Sequence, residues 1–225
     1  IIFGGEDQDP PEYGKVFIVL KPTDASYLTS LTKNKIIADL KKYIVASVEP
    51  RIVDPSILFV EMTSKIYYNS LITDQTPANI RDKVISAVQS YIDTSDTEKF
   101  NGKFRYSKFV GVIDDADVSI NSNLTSLMMR KDFYPQLNST FYYEVCFQNA
   151  FDEDCDDPVL SSTGFRVTEY PNFDVYVEDR DKKIVLYRLD SVTGEKVVLD
   201  SDIGDIDYVK GEVILFPVTI TSTTL

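Results

Sequence analysis

The side chains best suited to chemistry lie in one acidic run in the second half of the chain. Asp152-Glu153-Asp154-Cys155-Asp156-Asp157 places five carboxylates within six residues. Its first, third and fifth residues match the first three ligand positions of a calcium-binding loop. The sixth and twelfth positions of such a loop require Gly and Glu, but in this sequence they are Asp157 and Thr163. We therefore interpret the run as a solvated loop, and we expect no bound metal ion and no other cofactor.

The chain has no histidine, and this excludes most catalytic constellations. Ser-His-Asp triads, Cys-His pairs and the usual zinc and non-haem iron sites cannot be built from its own residues. A glycosidase needs only two carboxylates about 5–9 Å apart, but 36 acidic residues give the sequence no means of choosing such a pair. Two further acidic groupings, Asp114 to Asp117 and Asp200 to Asp207, are interpreted as loop caps and turn residues. We predict no enzymatic activity and no catalytic residues.

Charge and cysteine content limit the partners. With 23 basic and 36 acidic residues the net charge is −13, so we expect no nucleic acid and no anionic membrane as partner. Glycine-rich phosphate loops are absent, and we expect no small-molecule substrate. Cys146 and Cys155 could form a disulfide across a hairpin, but two thiols in a chain of this length favour a reducing compartment. Ile1-Ile2-Phe3 is not a signal peptide, and we expect the chain to be part of a longer protein.

The pattern of apolar residues predicts an α+β protein. A loop over residues 1–14 is followed by a small β-α-β-α-β sandwich module over residues 15–137, in which one small sheet carries helices on one face. Residues 138–225 form a β-rich acidic module. Charge supports this division, because residues 1–140 have a net charge of −2 and residues 141–225 have −11. The junction is placed near Leu137-Asn138-Ser139, a polar stretch after Pro135.

Periodicity places the elements of the first module. A strand with two apolar faces spans Lys15 to Leu20, and it is expected to be central in its sheet. Thr76 and Pro77 suit the N-cap and first position of the best-marked helix. The remaining predicted elements are a helix over Thr32–Ala46, a strand over Ile57–Tyr68, a short helix over Phe104–Ile113 and a strand over Val118–Phe133.

In the second module the apolar period is almost always two, which is typical of hairpins. Turns are expected at Ser191–Gly194 and Tyr208–Gly211, where Gly can adopt positive φ. The predicted strands are Phe141–Gln148, Val159–Val167, Phe173–Val177, Lys183–Leu189, Lys196–Leu199 and Glu212–Phe216.

Three stretches of the sequence resemble a known family, the baseplate wedge proteins of T4-type contractile-tail phages, within the broader baseplate J-like group. The stretches are Phe3-Gly4-Gly5-Glu6-Asp7-Gln8 with Pro11-Glu12-Tyr13-Gly14-Lys15-Val16-Phe17-Ile18 and Lys21-Pro22; Lys41-Lys42-Tyr43-Ile44-Val45 with Glu49-Pro50-Arg51-Ile52-Val53-Asp54-Pro55 and Leu58-Phe59-Val60; and Ile203-Gly204-Asp205-Ile206-Asp207-Tyr208 with Gly211-Glu212-Val213.

The resemblance implies a structural component of the phage tail baseplate, corresponding to the C-terminal portion of the wedge protein. Such proteins form homodimers and contact other wedge proteins. These contacts tie the wedges into a ring around the hub, and the ring rearranges when the sheath contracts. The expected location is the tail baseplate of the virion, after assembly in the host cytoplasm. The family offers no catalytic residues to carry over.

Within this interpretation the N-terminal loop is the candidate interface. Two Gly and two Pro residues between Gly4 and Pro11 disfavour a helix or a central strand. A loop without secondary structure of its own can dock on a neighbouring subunit, and the candidate interface residues are Gly4, Gly5, Asp7, Pro10 and Pro11.

One alternative remains open from the residues alone. The Tyr and Phe content and the acidic run also fit a carbohydrate-binding or adhesive β module with a metal-supported loop. Calcium-dependent glycan binding would favour that alternative, whereas dimerisation without ligand would favour the baseplate interpretation.

Overall fold

The chain is described by a computed structural model over residues 1–8, 10–23, 25–44, 47–152 and 158–224. It divides into two compact units, Ile1–Met128 and Met129–Leu225. Both contain β-sheets, and three α-helices lie in the first unit. The chain is therefore a mixed α and β protein that is rich in strand, as predicted at that level.

The first unit begins with a three-stranded sheet in the order β1-β2-β3. Strand β1 (Ile2–Gly4) is antiparallel to β2 (Lys15–Val19). Strand β3 (Glu49–Val53) is parallel to β2 and follows helix α1 (Ser30–Leu40). Strand β2 is central as its two apolar faces predicted, and Phe17 at its middle is buried.

The structure corrects two predictions in this region. The predicted elements left the stretch around Pro50 without a strand, but it is strand β3, with Pro50 opposite Val16. An edge strand tolerates proline because one row of its N–H groups has no ladder partner to lose. Helix α1 ends at Leu40 rather than Ala46 and has no buried residue, and Ala46 lies outside the described residues.

The second sheet of this unit has two strands, β4 (Phe59–Tyr68) and β5 (Ile120–Arg130). The Asn69 N–H donates to the Ser119 carbonyl at 2.8 Å, and the Ser64 and Thr125 hydroxyls lie 2.8 Å apart. Residue 64 contacts residue 125 and residue 69 contacts residue 119, so residue numbers increase along one strand while they decrease along the other. The two strands are therefore antiparallel. The expected single sheet with helices on one face is therefore wrong: strands 2–53 and 59–130 form two separate sheets.

Two helices cover one face of the β4–β5 sheet. Helix α2 (Pro77–Thr94) starts as predicted, with the Thr76 hydroxyl accepting the Asn79 N–H and proline at the start of the helix. Helix α3 (Tyr106–Asp114) follows. Three buried side chains, Val84, Phe109 and Ile113, form the centre of the core. The half-buried residues packed on this centre are Met62, Ile66, Val88, Tyr91, Phe104, Ala116 and Ile120.

Strand β5 turns polar side chains towards the helices and apolar side chains towards the opposite face. Polar residues face the helices: the Asn123 amide donates to the Val110 carbonyl and to Asp114, and Thr125 is buried. The apolar Leu124 and Met128 are instead 67% and 63% exposed. The Asn123 amide and the Thr125 hydroxyl have hydrogen-bond partners, so burying them costs little free energy. The β4–β5 sheet thus presents apolar side chains on the face that carries no helix.

A buried carboxylate fastens helix α2 to the turn before β5. Asp117 accepts a hydrogen bond from the Lys83 ammonium at 2.6 Å. It also accepts the Ser119 hydroxyl at 2.6 Å and the Ser119 N–H at 2.9 Å. The bond from Lys83, followed by those from Ser119, holds the pKa of the Asp117 carboxyl well below its ordinary value. The charged form of Asp117 is therefore favoured by folding.

The second unit consists of strands alone among its described residues. They are β6 (Thr140–Cys146), β7 (Phe165–Val167), β8 (Tyr170–Arg180), β9 (Lys183–Leu189), β10 (Lys196–Asp207) and β11 (Glu212–Thr223). Their order is β10-β9-β8-β7-β11-β6, and β10 also pairs with β11. Five strands therefore close into a barrel-like sheet, and β6 extends it along β11.

The buried residues of this sheet include both aliphatic side chains and charged ones. Val175 and Ile184 are fully buried. Glu178 is 1% exposed and accepts hydrogen bonds from Arg180, at 2.8 Å, and from Lys196. Asp179 accepts the Tyr208 hydroxyl and the Leu160 N–H, each at 2.6 Å. Burying these carboxylates is tolerated because each has several donors.

Strand boundaries differ from the predictions where a turn or bulge lacks a sequence signal. Strand β9 matches its prediction, and Gly194 and Gly211 adopt positive φ as expected. The β8–β9 turn uses Asp181 and Lys182, both at positive φ, without a glycine to mark it. Strand β11 continues past Pro217 because its register shifts between Leu215 and Val218, and a bulge accommodates proline. The strand predicted over Val159–Val167 is reduced to β7.

Closure of the sheet depends on Gly204. This buried residue pairs with Ile184 of β9 and with Leu215 of β11. A Cβ at this position would lie 2.1 Å from the Ile214 carbonyl oxygen and 3.2 Å from Ile184. Only glycine permits this approach of two backbones at the corner where β10 changes partner.

We predict that Gly204→Ala weakens closure of the sheet. The added methyl group has to displace the β11 backbone, which costs about 1–3 kcal/mol of the free energy of unfolding. Hydrogen exchange measured by mass spectrometry should show faster exchange in β10 and β11. Gly111→Ala is the matched control, because nothing lies within 4 Å of its Cβ and alanine in a helix stabilises by up to about 1 kcal/mol. Unchanged exchange in the Gly204 variant would contradict the prediction.

We also predict that Asp117→Asn lowers the thermal midpoint at neutral pH. The pKa of Asp117 is lower in the folded state than its ordinary 3.8, so its charge stabilises the fold above that value, and the stabilisation is lost as pH falls below it. The difference between wild type and variant should therefore shrink between pH 7 and pH 3. The control is Asp82→Asn on helix α2, next to Lys83, where the carboxyl is 65% exposed. A difference independent of pH would contradict the assignment.

Candidate functional site

The N-terminal segment that the sequence singled out is more ordered than expected. Gly4 ends strand β1, and residues 5–7 form a single 3-10 turn, so the prediction of a loop without secondary structure is wrong. The Phe3 ring stacks on Phe17 with centroids 5.5 Å apart. The amino group of Ile1 donates to the Val19 carbonyl at 3.1 Å. The segment is thus fixed to the edge of the first sheet.

Gly5 holds the rest of the segment in place. Its carbonyl accepts the Glu12 N–H at 2.7 Å and the Gln8 N–H at 3.2 Å. A Cβ on Gly5 would lie 1.9 Å from the Glu12 carbonyl oxygen, so only glycine fits. Glu12 is further held by an ion pair with Lys15, and this hydrogen bond lowers the pKa of the Glu12 carboxyl. Gly5 is therefore a structural residue, although it was predicted to lie at an interface.

The predicted interface residues separate into two groups. Gly4 and Gly5 are half-buried and buried, whereas Asp7, Pro10 and Pro11 are exposed and can reach a neighbouring molecule. Tyr13 joins the exposed group with 80% of its surface accessible. Sequence reasoning did not select Tyr13, although a tyrosine before the positive-φ Gly14 was a signal for an exposed turn.

The acidic groupings prove to be structural where they are described. The run at 152–157 lies outside the described residues except for Asp152. Asp202 and Asp205 form ion pairs with Lys183 at 3.1 and 2.8 Å, and their hydrogen bonds raise the pKa of its ammonium. Asp207 accepts the N–H groups of Val209 and Lys210, each at 3.0 Å. Asp207 thus makes the turn contacts that the sequence predicted, but the prediction is wrong for Asp200, Asp202 and Asp205, which lie within strand β10.

One group in the described part of the chain has the donor types of a metal site. Glu144, Cys146 and Glu212 bring their donor atoms within 4.8 Å of one another on strands β6 and β11. The Cys146 thiol donates to Glu144 at 3.2 Å, and this hydrogen bond, followed by burial, raises the pKa of the thiol. A protonated thiol is a poor ligand and a poor nucleophile. The group is therefore explained by its internal hydrogen bond.

None of the helices in the described ranges combines the length and the apolar character needed to cross a bilayer. The exposed apolar side chains of the described residues lie on strands, helices and turns.

Comparison with known proteins assigns the two sheets of the first unit to one family. The model described as "Baseplate structural protein gp6, C-terminal domain I" matches residues 1–53, the range of the β1-β2-β3 sheet. The model described as "Baseplate structural protein gp6, C-terminal domain III" matches residues 56–132, the range of the β4–β5 sheet and its helices. The two matches together cover more than half of the chain, and each falls on one folded sheet.

A curated relative supports the same assignment. The baseplate wedge protein gp6 of Enterobacteria phage T4 is 33% identical over 129 residues. The aligned part is 56% of this chain and 19% of the phage T4 protein, so the chain spans about a fifth of that relative. Because C-terminal domains I and III of one family account for residues 1–53 and 56–132, the chain belongs to the family of the baseplate structural protein gp6 and represents the C-terminal portion of a baseplate wedge protein.

Proposed function

We propose that this chain is a structural component of a phage tail baseplate and acts through protein surfaces. The observation that carries the proposal is the match of gp6 C-terminal domains I and III to the two sheets of the first unit. In the proposed role the chain dimerises and links neighbouring wedges into the ring around the hub. The ring rearranges when the sheath contracts. Its location is the tail baseplate of the virion, reached by assembly in the host cytoplasm.

The physical character of the chain supports this role. A closed ring needs reproducible interfaces on rigid elements rather than a pocket. Exposed apolar side chains on such elements are suited to contacts of this kind. They include Leu124 and Met128 on β5 and Tyr142 on β6, at 67%, 63% and 54% exposure. The proposed partners are a second copy and other baseplate wedge proteins, with no substrate, nucleic acid or membrane, and the proposal assigns no catalysis to the chain.

Wedge assembly tests the proposal directly. The chain is mixed with the other wedge proteins of its phage, and complexes are separated by sedimentation velocity and examined by electron microscopy. We expect the chain to sediment with the wedge complex at stoichiometric ratio. Failure to enter the complex, together with calcium-dependent binding to a glycan array, would replace the proposal by the carbohydrate-binding alternative.

The exposed part of the N-terminal segment provides a second test. A triple variant, Asp7→Lys with Pro10→Ser and Pro11→Ser, changes only exposed side chains. If this surface contacts a neighbour, incorporation into wedge complexes should fall about tenfold or more, because reversing a charge at an interface introduces repulsion. The thermal midpoint of the isolated chain should stay the same.

The control for this test is a charge reversal elsewhere, Glu195→Lys, on an exposed residue before strand β10. Deleting residues 1–11 is less informative, because it also removes strand β1 from its sheet. Normal incorporation of the triple variant would remove the N-terminal segment from the list of interfaces.

A further inference from the structure

The β4–β5 sheet has an outer face that no helix covers. We define the outer face by eight exposed residues: Glu61, Thr63, Lys65 and Tyr67 on β4, and Ser122, Leu124, Ser126 and Met128 on β5. The opposite face packs on helices α2 and α3. A two-stranded sheet of this length therefore presents one complete row of each strand to a partner.

Contacts between the strands define the middle of the outer face. The Ser126 hydroxyl donates to the Thr63 carbonyl at 3.4 Å, so these two small residues are neighbours. Two positions away in either direction the antiparallel register places Glu61 beside Met128 at one end, and Lys65 beside Leu124 at the other. Each end therefore carries one charged and one apolar side chain, separated by about 13 Å of strand.

The two ends are complementary to each other. One end carries the acidic Glu61 and the other end carries the basic Lys65. The apolar residues at the two ends, Met128 and Leu124, are both mostly exposed. A two-fold axis that crosses both strands at the Thr63–Ser126 pair, in the plane of the face, exchanges the ends. Glu61 of one copy then faces Lys65 of the other, and Leu124 faces Met128. Such self-complementarity is what a two-fold interface requires.

We propose that the outer face of the β4–β5 sheet is a self-association surface whose occupant is the same face of a second copy of this chain. The inference deepens the proposed function and rests on it, since it names the surface through which two copies meet. The small side chains at Thr63 and Ser126 let the two sheets approach in the middle, and the apolar and charged pairs close the contact at both ends.

The area of the outer face limits the expected affinity of self-association. A standard protein interface buries about 1,600 Å² in total, and eight residues on two strands provide less. Association of the isolated chain should therefore be weak and visible only at high concentration. Within a ring, other contacts hold neighbours together and raise the effective concentration of this face.

A charge exchange tests the proposal. Lys65→Glu places two acidic residues opposite each other, and Glu61→Lys places two basic residues opposite each other. Each single variant should associate about tenfold more weakly than wild type or worse in sedimentation velocity over a concentration series. An equimolar mixture of the two variants should associate again, because every facing pair is then of opposite charge. The double variant carrying both exchanges should also associate like wild type.

A further variant separates an effect on association from an effect on folding. Leu124→Ser removes an exposed apolar side chain, should leave the thermal midpoint unchanged and should weaken association. The proposal is overturned if wild type stays monomeric throughout the series, or if the mixture associates no better than either variant. If the single variants enter wedge complexes and dimerise normally, this surface fails while the baseplate function stands. If the charge pattern holds but wild type does not enter wedge complexes, the baseplate function fails instead.

Discussion

A strand at the edge of a sheet carries backbone N–H and C=O groups that need a hydrogen-bond partner. Five strands of the second unit meet this need by closing on themselves, whereas the sheets of the first unit keep their edges. In the second unit β10 pairs with both β9 and β11, which closes five strands into a barrel-like sheet. The closure depends on two backbones meeting at Gly204, where a side chain would overlap the Ile214 carbonyl. In the first unit the sheets stay open and narrow, so each has edges, and the β4–β5 sheet has one face that carries no helix.

Narrow sheets also explain why polar groups occupy interior positions. Two or three strands with one or two helices enclose a small apolar volume, so the core needs specific hydrogen bonds to fix its geometry. Asp117 is the example in the first unit, where it joins α2 to the turn before β5. The closed sheet of the second unit has a buried charge as well, Glu178, which accepts hydrogen bonds from Arg180 and Lys196. Losing one partner of a buried ion pair costs about 3–5 kcal/mol, and the half-exposed cations here place Glu178 towards the lower value. Every buried side-chain nitrogen or oxygen in the described residues has a hydrogen-bond partner.

This architecture suits a protein whose work is to be held by neighbours. The interior polar groups of these sheets are hydrogen-bonded, and their edges, turns and helix-free faces stay exposed. A neighbouring subunit can therefore bind at several places without a deep pocket. The N-terminal segment, fixed by Gly5 and by the Phe3–Phe17 stack, illustrates how an irregular stretch becomes a defined surface. The apolar residues of β5 illustrate the same point, because the polar side of that strand is used for the internal contacts.

Sequence alone determined the features that depend on neighbouring residues. The α2 start at Thr76-Pro77, the central strand at 15–19, strand β9 and the turns at Gly194 and Gly211 follow from capping, alternation and positive φ, and each was found. Absence of histidine likewise limited the chemistry before any fold was known. Only the tertiary structure decided features that depend on distant partners. Pro50 lies in a strand because β2 pairs beside it, and Gly5 is buried because Glu12 folds back on it. Leu124 and Met128 face outward because Asn123 finds polar partners on helix α3 and Thr125 finds one on β4. Alternation along the strand does not by itself determine which of the two faces is turned inward.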